Sequence, residues 1–223
     1  LAGPGDAPLG QSLTLQATAP QAAAIELRHQ GRVLGRIDGA EGKCTLDTKS
    51  LGLGLAKLGA AAFLAGADQP AAVSPAVLVR VTPPAALDPI PAPEGVELVK
   101  GISVRAADRA AKIAENSLGG GWLKDLGVQA NEPIVLEGYF DVPADDLYQF
   151  QLRSPRQVQI TVDETAIGSS ADGRWTFLPV ALKPGTHRLR VHVTGDGPPQ
   201  LALRFGGPGA YSVGSRQFRA AVK

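Results

Sequence analysis

The 223-residue sequence has no methionine, a single cysteine and only three histidines. One cysteine, Cys44, cannot close an intrachain disulfide, so the fold does not depend on one. It reads as a small residue on a strand. Three scattered histidines are too few for most metal or acid–base sites. No apolar run approaches the roughly 20 residues a membrane helix needs, which excludes membrane insertion by a helix. Charge of one sign is also lacking: 22 Lys and Arg face 21 Asp and Glu. The net charge of +1 gives no field to draw in nucleic acid. Neither H-E-x-x-H nor G-x-S-x-G occurs, and no Ser/His/Asp arrangement stands out. What is present is 44% hydrophobic residues, enough for true cores, with 27 Gly and 18 Pro, enough for many turns. The chain starts at Leu1, which is expected of a processed form or a fragment. No signal peptide is visible, so an export signal is expected to be removed or to lie outside this chain.

Residues 83–95, PPAALDPIPAPEG, hold five prolines in thirteen residues. They exclude a helix or a central strand and favour an extended, semi-rigid connector. Ten of the eleven aromatic residues follow this segment, and only Phe63 precedes it. The two halves therefore predict an Ala/Leu/Val core at residues 1–82 and an aromatic-rich one at 96–223.

In the first half, short runs alternate. Leu13 and Leu15 share one face of 12–18, and Ile25 and Leu27 share one face of 24–29. Gln30-Gly31 is a tight-turn signal before a returning strand at 32–37. Further strands are expected at 43–46, 57–64 and 73–82, the last with Val77, Val79 and Val81 in register. About seven short strands in this length suggest a small antiparallel sandwich. The text IELRHQGRVLGRIDG resembles the C–C′ hairpin of bacterial immunoglobulin-like domains, and Leu51-Gly52-Leu53-Gly54 resembles their turn before strand F. The inter-sheet cysteine pair and the strand-C tryptophan of that family are missing here.

Residues 106–116, AADRAAKIAEN, carry a faint helical stripe of Ala106, Ala110, Ile113 and Ala114. A turn or two of helix, or an irregular excursion between strands, is expected there. Gly119-Gly120-Gly121 then reads as a bend anchored by Trp122 in the core. From Ile134 the pattern sharpens. Tyr148, Phe150 and Leu152 alternate with Gln149 and Gln151. Val158, Ile160 and Val162 alternate with Gln157, Gln159 and Thr161. Leu189, Val191 and Val193 alternate with Arg188, Arg190 and His192. Period-two runs with one polar face mean antiparallel sheets, each covered on one side.

Four motifs in order carry a second resemblance: GYFDVPADDLYQFQLRS, QITVDETAIG, LKPGTHRLRVHV and LALRFGGPG. They are similar to the protective-antigen-type β-sandwich, a lectin-like family found in toxins, glycosidases, adhesins and bacterial surface proteins. The resemblance covers about 132–210. Adhesins of that family hold Ca²⁺ and sugar through adjacent aspartates after the Tyr/Phe strand. Here the aligned stretch is Arg153-Ser154-Pro155-Arg156-Gln157, with no carboxylate, and Arg156 would repel a cation. The family glycine after the aspartate of the second motif is Glu164 here. The family tryptophan of the last motif is Phe205.

The remaining candidates read mostly as structure. Residues 52–59, GLGLAKLG, match neither phosphate-loop spacing. Asp145 and Asp146 read as turn residues. Asp163 and Glu164, read as neighbours on a strand, would point to opposite faces and not form a catalytic pair. His187 reads as a strand-start histidine bonded to a carbonyl or carboxylate. Trp175 and Phe177 could stack on sugar, but their alternation with Arg174 and Thr176 favours core packing. Arg153, Arg156, Arg188, Arg190 and Arg204 fall on outward parity with Gln149, Gln151 and Gln159. They are either a solvated face or a docking surface for another module, a subunit or an acidic glycan.

The expectation is an all-β protein of two antiparallel β-sandwich domains in tandem, with no catalysis, no cofactor and no metal. It is expected to be a secreted or cell-surface interaction module. Its partner would be a protein, another copy joined through a sheet face or edge strand, or a glycan. The alternatives are a carbohydrate-binding, adhesin-like module and an ancillary domain of a larger secreted hydrolase.

Overall fold

Strands make up nearly all of the regular structure in the computed structural model, which describes residues 1–107, 109, 112–114, 118, 122–207, 210–213 and 218–222. The chain divides into two units, Leu1–Pro84 and Ala85–Lys223. Among the described residues, no helix is long and apolar enough to cross a bilayer.

The first unit contains β1 (Asp6–Pro8), β2 (Ser12–Thr18), β3 (Ala24–His29), β4 (Arg32–Asp38), β5 (Glu41–Asp47), β6 (Gly54–Phe63), β7 (Ala72–Val73) and β8 (Val77–Thr82). One sheet runs β1-β8-β6-β3-β4, with β7 on β6, and β2 pairs with β5 in another. The β1–β8 pair is parallel and its neighbours are antiparallel. Period two decides which side chains are inside: Leu13, Leu15 and Ala17 from β2 meet Ile25, Leu27, Leu58 and Val79 from the larger sheet. Gln30 and Gly31 both have positive φ, 48° and 79°, as a two-residue turn matched to strand twist requires. Cys44 is half-buried on β5.

The second unit contains β9 (Glu97–Lys100), β10 (Ile102–Ala106), β11 (Lys112–Ala114), a single-turn helix α1 (Trp122–Asp125), β12 (Ile134–Val142), β13 (Asp146–Arg153) and β14 (Gln157–Val162). It continues with β15 (Thr165–Ser170), β16 (Thr176–Leu182), β17 (Gly185–Thr194), β18 (Ala202–Gly207), β19 (Ala210–Val213) and β20 (Arg219–Val222). An eight-stranded sheet runs β11-β10-β12-β17-β14-β15, with β20 on β12 and β9 on β20. A four-stranded sheet runs β16-β13-β18-β19. Phe140 of the larger sheet packs on Phe150 and Phe205 of the smaller one, with ring centroids 5.6 and 4.6 Å apart. These rings and the aliphatic residues of both inner faces form one core.

Two expectations change. Residues 112–114, inside the stretch with the helical stripe, form a strand paired with Ile102–Val104. Ala114 is buried in the core while its neighbour Ile113 is exposed, which is the alternation of a strand. The rest of that stretch, apart from Ala106, Ala107 and Arg109, and the three glycines at 119–121, lie outside the described residues. Trp122 is buried and donates from Nε1 to Leu201 O at 2.7 Å. The proline-rich segment is also more than a connector. Leu87 N donates to Ala181 O, Lys183 N donates to Leu87 O, and Ile90 N donates to an Asp163 carboxylate oxygen. Prolines keep this stretch extended, and its free N–H groups let it lie along β16 as a strap of the second unit.

Candidate functional site

The outward face of the four-stranded sheet is built by alternation. Tyr148, Phe150 and Leu152 of β13 are buried, so Gln149, Gln151 and Arg153 point away from the core. Register then places Gln151 opposite Phe177 of β16 on one side and opposite Arg204 of β18 on the other. Phe177 is 53% exposed. Trp175, just ahead of β16, is half-buried, and both arginines lie over its ring. The Arg204 guanidinium carbon is 4.4 Å from the ring centroid and that of Arg153 is 5.2 Å. Such stacking fixes two otherwise mobile side chains, at about 0.5–1 kcal/mol each for exposed sites. Gln151 Nε2 donates to Gln149 Oε1 at 3.3 Å, which orients the amides side by side.

Trp175 and Phe177 are thus not core residues. Leu178 and Val180 fill the inward parity of β16, and Phe177 takes the opposite one. The sequence signal was the alternation of Leu178, Val180 and Leu182, which leaves Phe177 and Pro179 on the outer side of an edge strand, Pro179 opposite Gln149. A proline there has no N–H to offer and blunts strand addition at that edge.

The five arginines do not form one face. Arg153 and Arg204 belong to the four-stranded sheet, whereas Arg188 and Arg190 lie on β17 of the eight-stranded sheet. Outward parity is readable in sequence, but which sheet a strand joins is not. Arg188 and Arg190 converge on Glu137 Oε1 at 3.3 and 2.8 Å. Beside them a groove of about 890 Å³ is lined by Arg105, Glu137, Tyr139, Arg188 and Val96, among others. Burial pushes the Glu137 carboxyl up, but the Arg190 hydrogen bond and the charges of both arginines outweigh it and hold it below the usual glutamate range. A depressed carboxyl stabilises the fold above its unfolded-state pKa, and that contribution is lost as pH falls through the folded value. Glu137→Gln is therefore expected to cost under about 1 kcal/mol at pH 7, the usual scale of a half-exposed ion pair. In urea titrations the gap from the parent should close as the pH is brought below the glutamate range. A gap that is constant with pH would contradict the ion-pair origin.

Arg156 is not outward at all; it is 1% exposed. Its Nε donates to Gly195 O at 3.0 Å and its Nη2 to Glu132 O at 2.7 Å. Burial lowers its pKa, opposed by the charges of Asp196 and Glu132. Parity fails here because the position is in a turn that folds back against two other loops. The turn 153–157 is where the resembling adhesins carry Ca²⁺ aspartates. It contains a buried cation and no carboxylate, so its residues do not fit a metal ion. Among the described residues, no three of His, Cys, Asp and Glu come together as a metal cluster.

Asp163 and Glu164 are not paired on a strand. They form the turn between β14 and β15, with φ of 45° and 67°. Glu164 thus adopts the left-handed conformation for which the family uses glycine. Asp163 is buried against His187. One carboxylate oxygen meets His187 Nδ1, and the other accepts from Arg188 N at 2.9 Å and from Ile90 N at 3.2 Å. His187 Nε2 donates to Lys183 O at 2.7 Å. With His187 at 0% and Asp163 at 3% side-chain exposure, no substrate reaches this pair, and it works as an internal clasp.

No family model matches the sequence, and no curated protein matches it. Among solved structures, an anti-sigma factor domain-containing protein is similar over 94% of this chain and 84% of its own, at 15% identity and a TM-score of 0.47. The Epithelial Adhesin 9 A domain from Candida glabrata, in complex with Galb1-3GlcNAc, is similar over 41% of this chain and 53% of its own, at 15% identity and 0.34. The PA14 domain of the antifreeze protein MpAFP is similar over 56% and 73%, at 15% identity and 0.35.

Proposed function

We propose that this chain is a non-catalytic binding module whose second unit holds carbohydrate on the outer face of the β16-β13-β18 sheet. The observation that carries this reading is the cross-strand row Phe177, Gln151 and Arg204 beside the arginine-stacked Trp175. An exposed ring offers a flat surface for the apolar face of a sugar, and the amides offer donors and acceptors for hydroxyls. Strand spacing of about 4.8 Å sets Phe177 and Arg204 roughly 10 Å apart at the backbone, a span suited to consecutive sugar rings of one chain.

In this reading the first unit is an immunoglobulin-like spacer and the second a protective-antigen-like sandwich, at the cell surface or secreted. The sheet order of the first unit, with its parallel β1–β8 pair, supports the former assignment. The ordered motifs on β12 to β18 support the latter.

Affinity electrophoresis of the full chain through gels containing plant and microbial polysaccharides tests the proposal. At least one polysaccharide should retard the protein. Phe177→Ala should weaken that binding about tenfold, or ~1.4 kcal/mol of lost stacking, and Trp175→Ala should weaken it by a similar factor by releasing Arg153 and Arg204 from its ring. Retardation that survives in the double variant, or no retardation by any polysaccharide, would reject it.

A further inference from the structure

Resting on the carbohydrate reading, we infer that this face selects a uronic acid polymer, with the carboxylate of one sugar seated between Arg153 and Arg204. Seven of the fourteen arginines are paired with a carboxylate, namely Arg28 with Glu26, Arg36 with Glu26 and Asp38, Arg80 with Asp6, Arg109 with Glu132, Arg188 and Arg190 with Glu137, and Arg219 with Asp141, while Arg32 and Arg156 donate to backbone carbonyls. Arg153 and Arg204 have no such partner among the described residues. The segment 208–217, which includes β19, contributes none by composition, because PGAYSVGSRQ contains neither Asp nor Glu.

The ring of Trp175 engages both guanidiniums, whose central carbons lie 5.2 and 4.4 Å from its centroid. Two cations gathered at one ring without a carboxylate partner favour an anion that reaches both, and a planar carboxylate matches the guanidinium fork. The surrounding chemistry is that of a sugar site rather than a general polyanion site. Phe177 lies two strands from Arg204, the glutamine amides lie between them, and the protein as a whole carries a net charge of only +1. A uronic acid supplies all three complements, namely an apolar ring face, hydroxyls and one carboxylate per residue.

The test compares polygalacturonate, its fully methyl-esterified form and a neutral galactan, using the full chain and isothermal titration calorimetry. Esterification removes the charge and keeps the sugar backbone. Polygalacturonate should bind at least tenfold more tightly than the ester, and its affinity should fall as salt rises. Arg153→Gln and Arg204→Gln should each cut the preference for polygalacturonate over the ester about tenfold, and Arg204→Lys should restore only part of it. Urea unfolding followed by tryptophan fluorescence should stay within about 1 kcal/mol of the parent for these variants, the scale of the stacking they remove.

Equal affinity for acid and ester would overturn this inference and leave the carbohydrate reading standing. Binding of polygalacturonate that is indifferent to both arginine substitutions would also overturn it. So would tighter binding of dextran sulfate or poly-glutamate, which would mark a plain anion site. Binding to none of these three by a folded protein that another polysaccharide retards would overturn this inference alone, and retardation by no polysaccharide would remove the carbohydrate reading itself.

Discussion

Asp163→Ala is expected to destabilise the second unit by about 3–5 kcal/mol, the range found when one partner of a buried hydrogen-bonded pair is removed. The carboxylate serves three donors at once. It holds His187 at the start of β17, accepts the Arg188 amide, and accepts the Ile90 amide of the proline-rich strap. Truncation leaves Nδ1 of a fully buried imidazole and two backbone N–H groups without their partner. Part of any loss could come from backbone strain, because φ is 45° and alanine disfavours that region. Asp163→Gly separates the two effects, since glycine adopts the conformation freely but supplies no carboxylate. It should lose nearly as much as alanine. Asp163→Asn keeps an acceptor oxygen and the turn preference and should lose less than half. Both tryptophans, Trp122 and Trp175, belong to the second unit, so fluorescence follows its urea unfolding alone. A shift under 1 kcal/mol for both Ala and Gly would show that the clasp does not hold the unit together.

The second large effect is expected at Arg156. Arg156→Met keeps most of the aliphatic volume and removes the two donors that join Glu132 O and Gly195 O. These bonds tie the β13–β14 turn to the loop before β12 and to the turn after β17. The last two are also joined directly, because Gly197 N donates to Asn131 Oδ1 and Asn131 N donates to Gly197 O. Two stranded carbonyls at about 1–3 kcal/mol each predict a loss near 3 kcal/mol, or roughly 10 °C in the melting temperature of a unit this size. Arg156→Lys should recover less than half, since one ammonium cannot span two carbonyls as the guanidinium does. Offsetting terms exist: Nη1 has no partner among the described residues, and desolvating a cation is costly. A methionine variant as stable as the parent would mean that these terms cancel the two bonds entirely.

These two positions, with Trp175 and Phe177, mark where sequence reasoning stopped. His187 was readable as a bonded strand-start histidine, but its partner lies 24 residues away in a turn and has no local signature. Arg156 has the parity of a surface residue and the composition of a loop. Only the approach of two other loops buries it. The outward parity of Arg153, Arg188, Arg190 and Arg204 was legible residue by residue, yet strands of unlike sheets look alike in sequence.

Local alternation therefore decided what this chain is made of: strands such as 134–142, 157–162 and 185–194, a turn at Gln30-Gly31, and an all-β architecture with a change of core chemistry near residue 84. Those features depend on side-chain period and backbone preference, which act between neighbours. The pairing of Asp163 with His187, the burial of Arg156 and the gathering of Trp175, Phe177, Arg153 and Arg204 were decided by the tertiary structure. Each depends on which strands become neighbours in the sheets, and that is set by the packing of two whole faces rather than by any short stretch of residues.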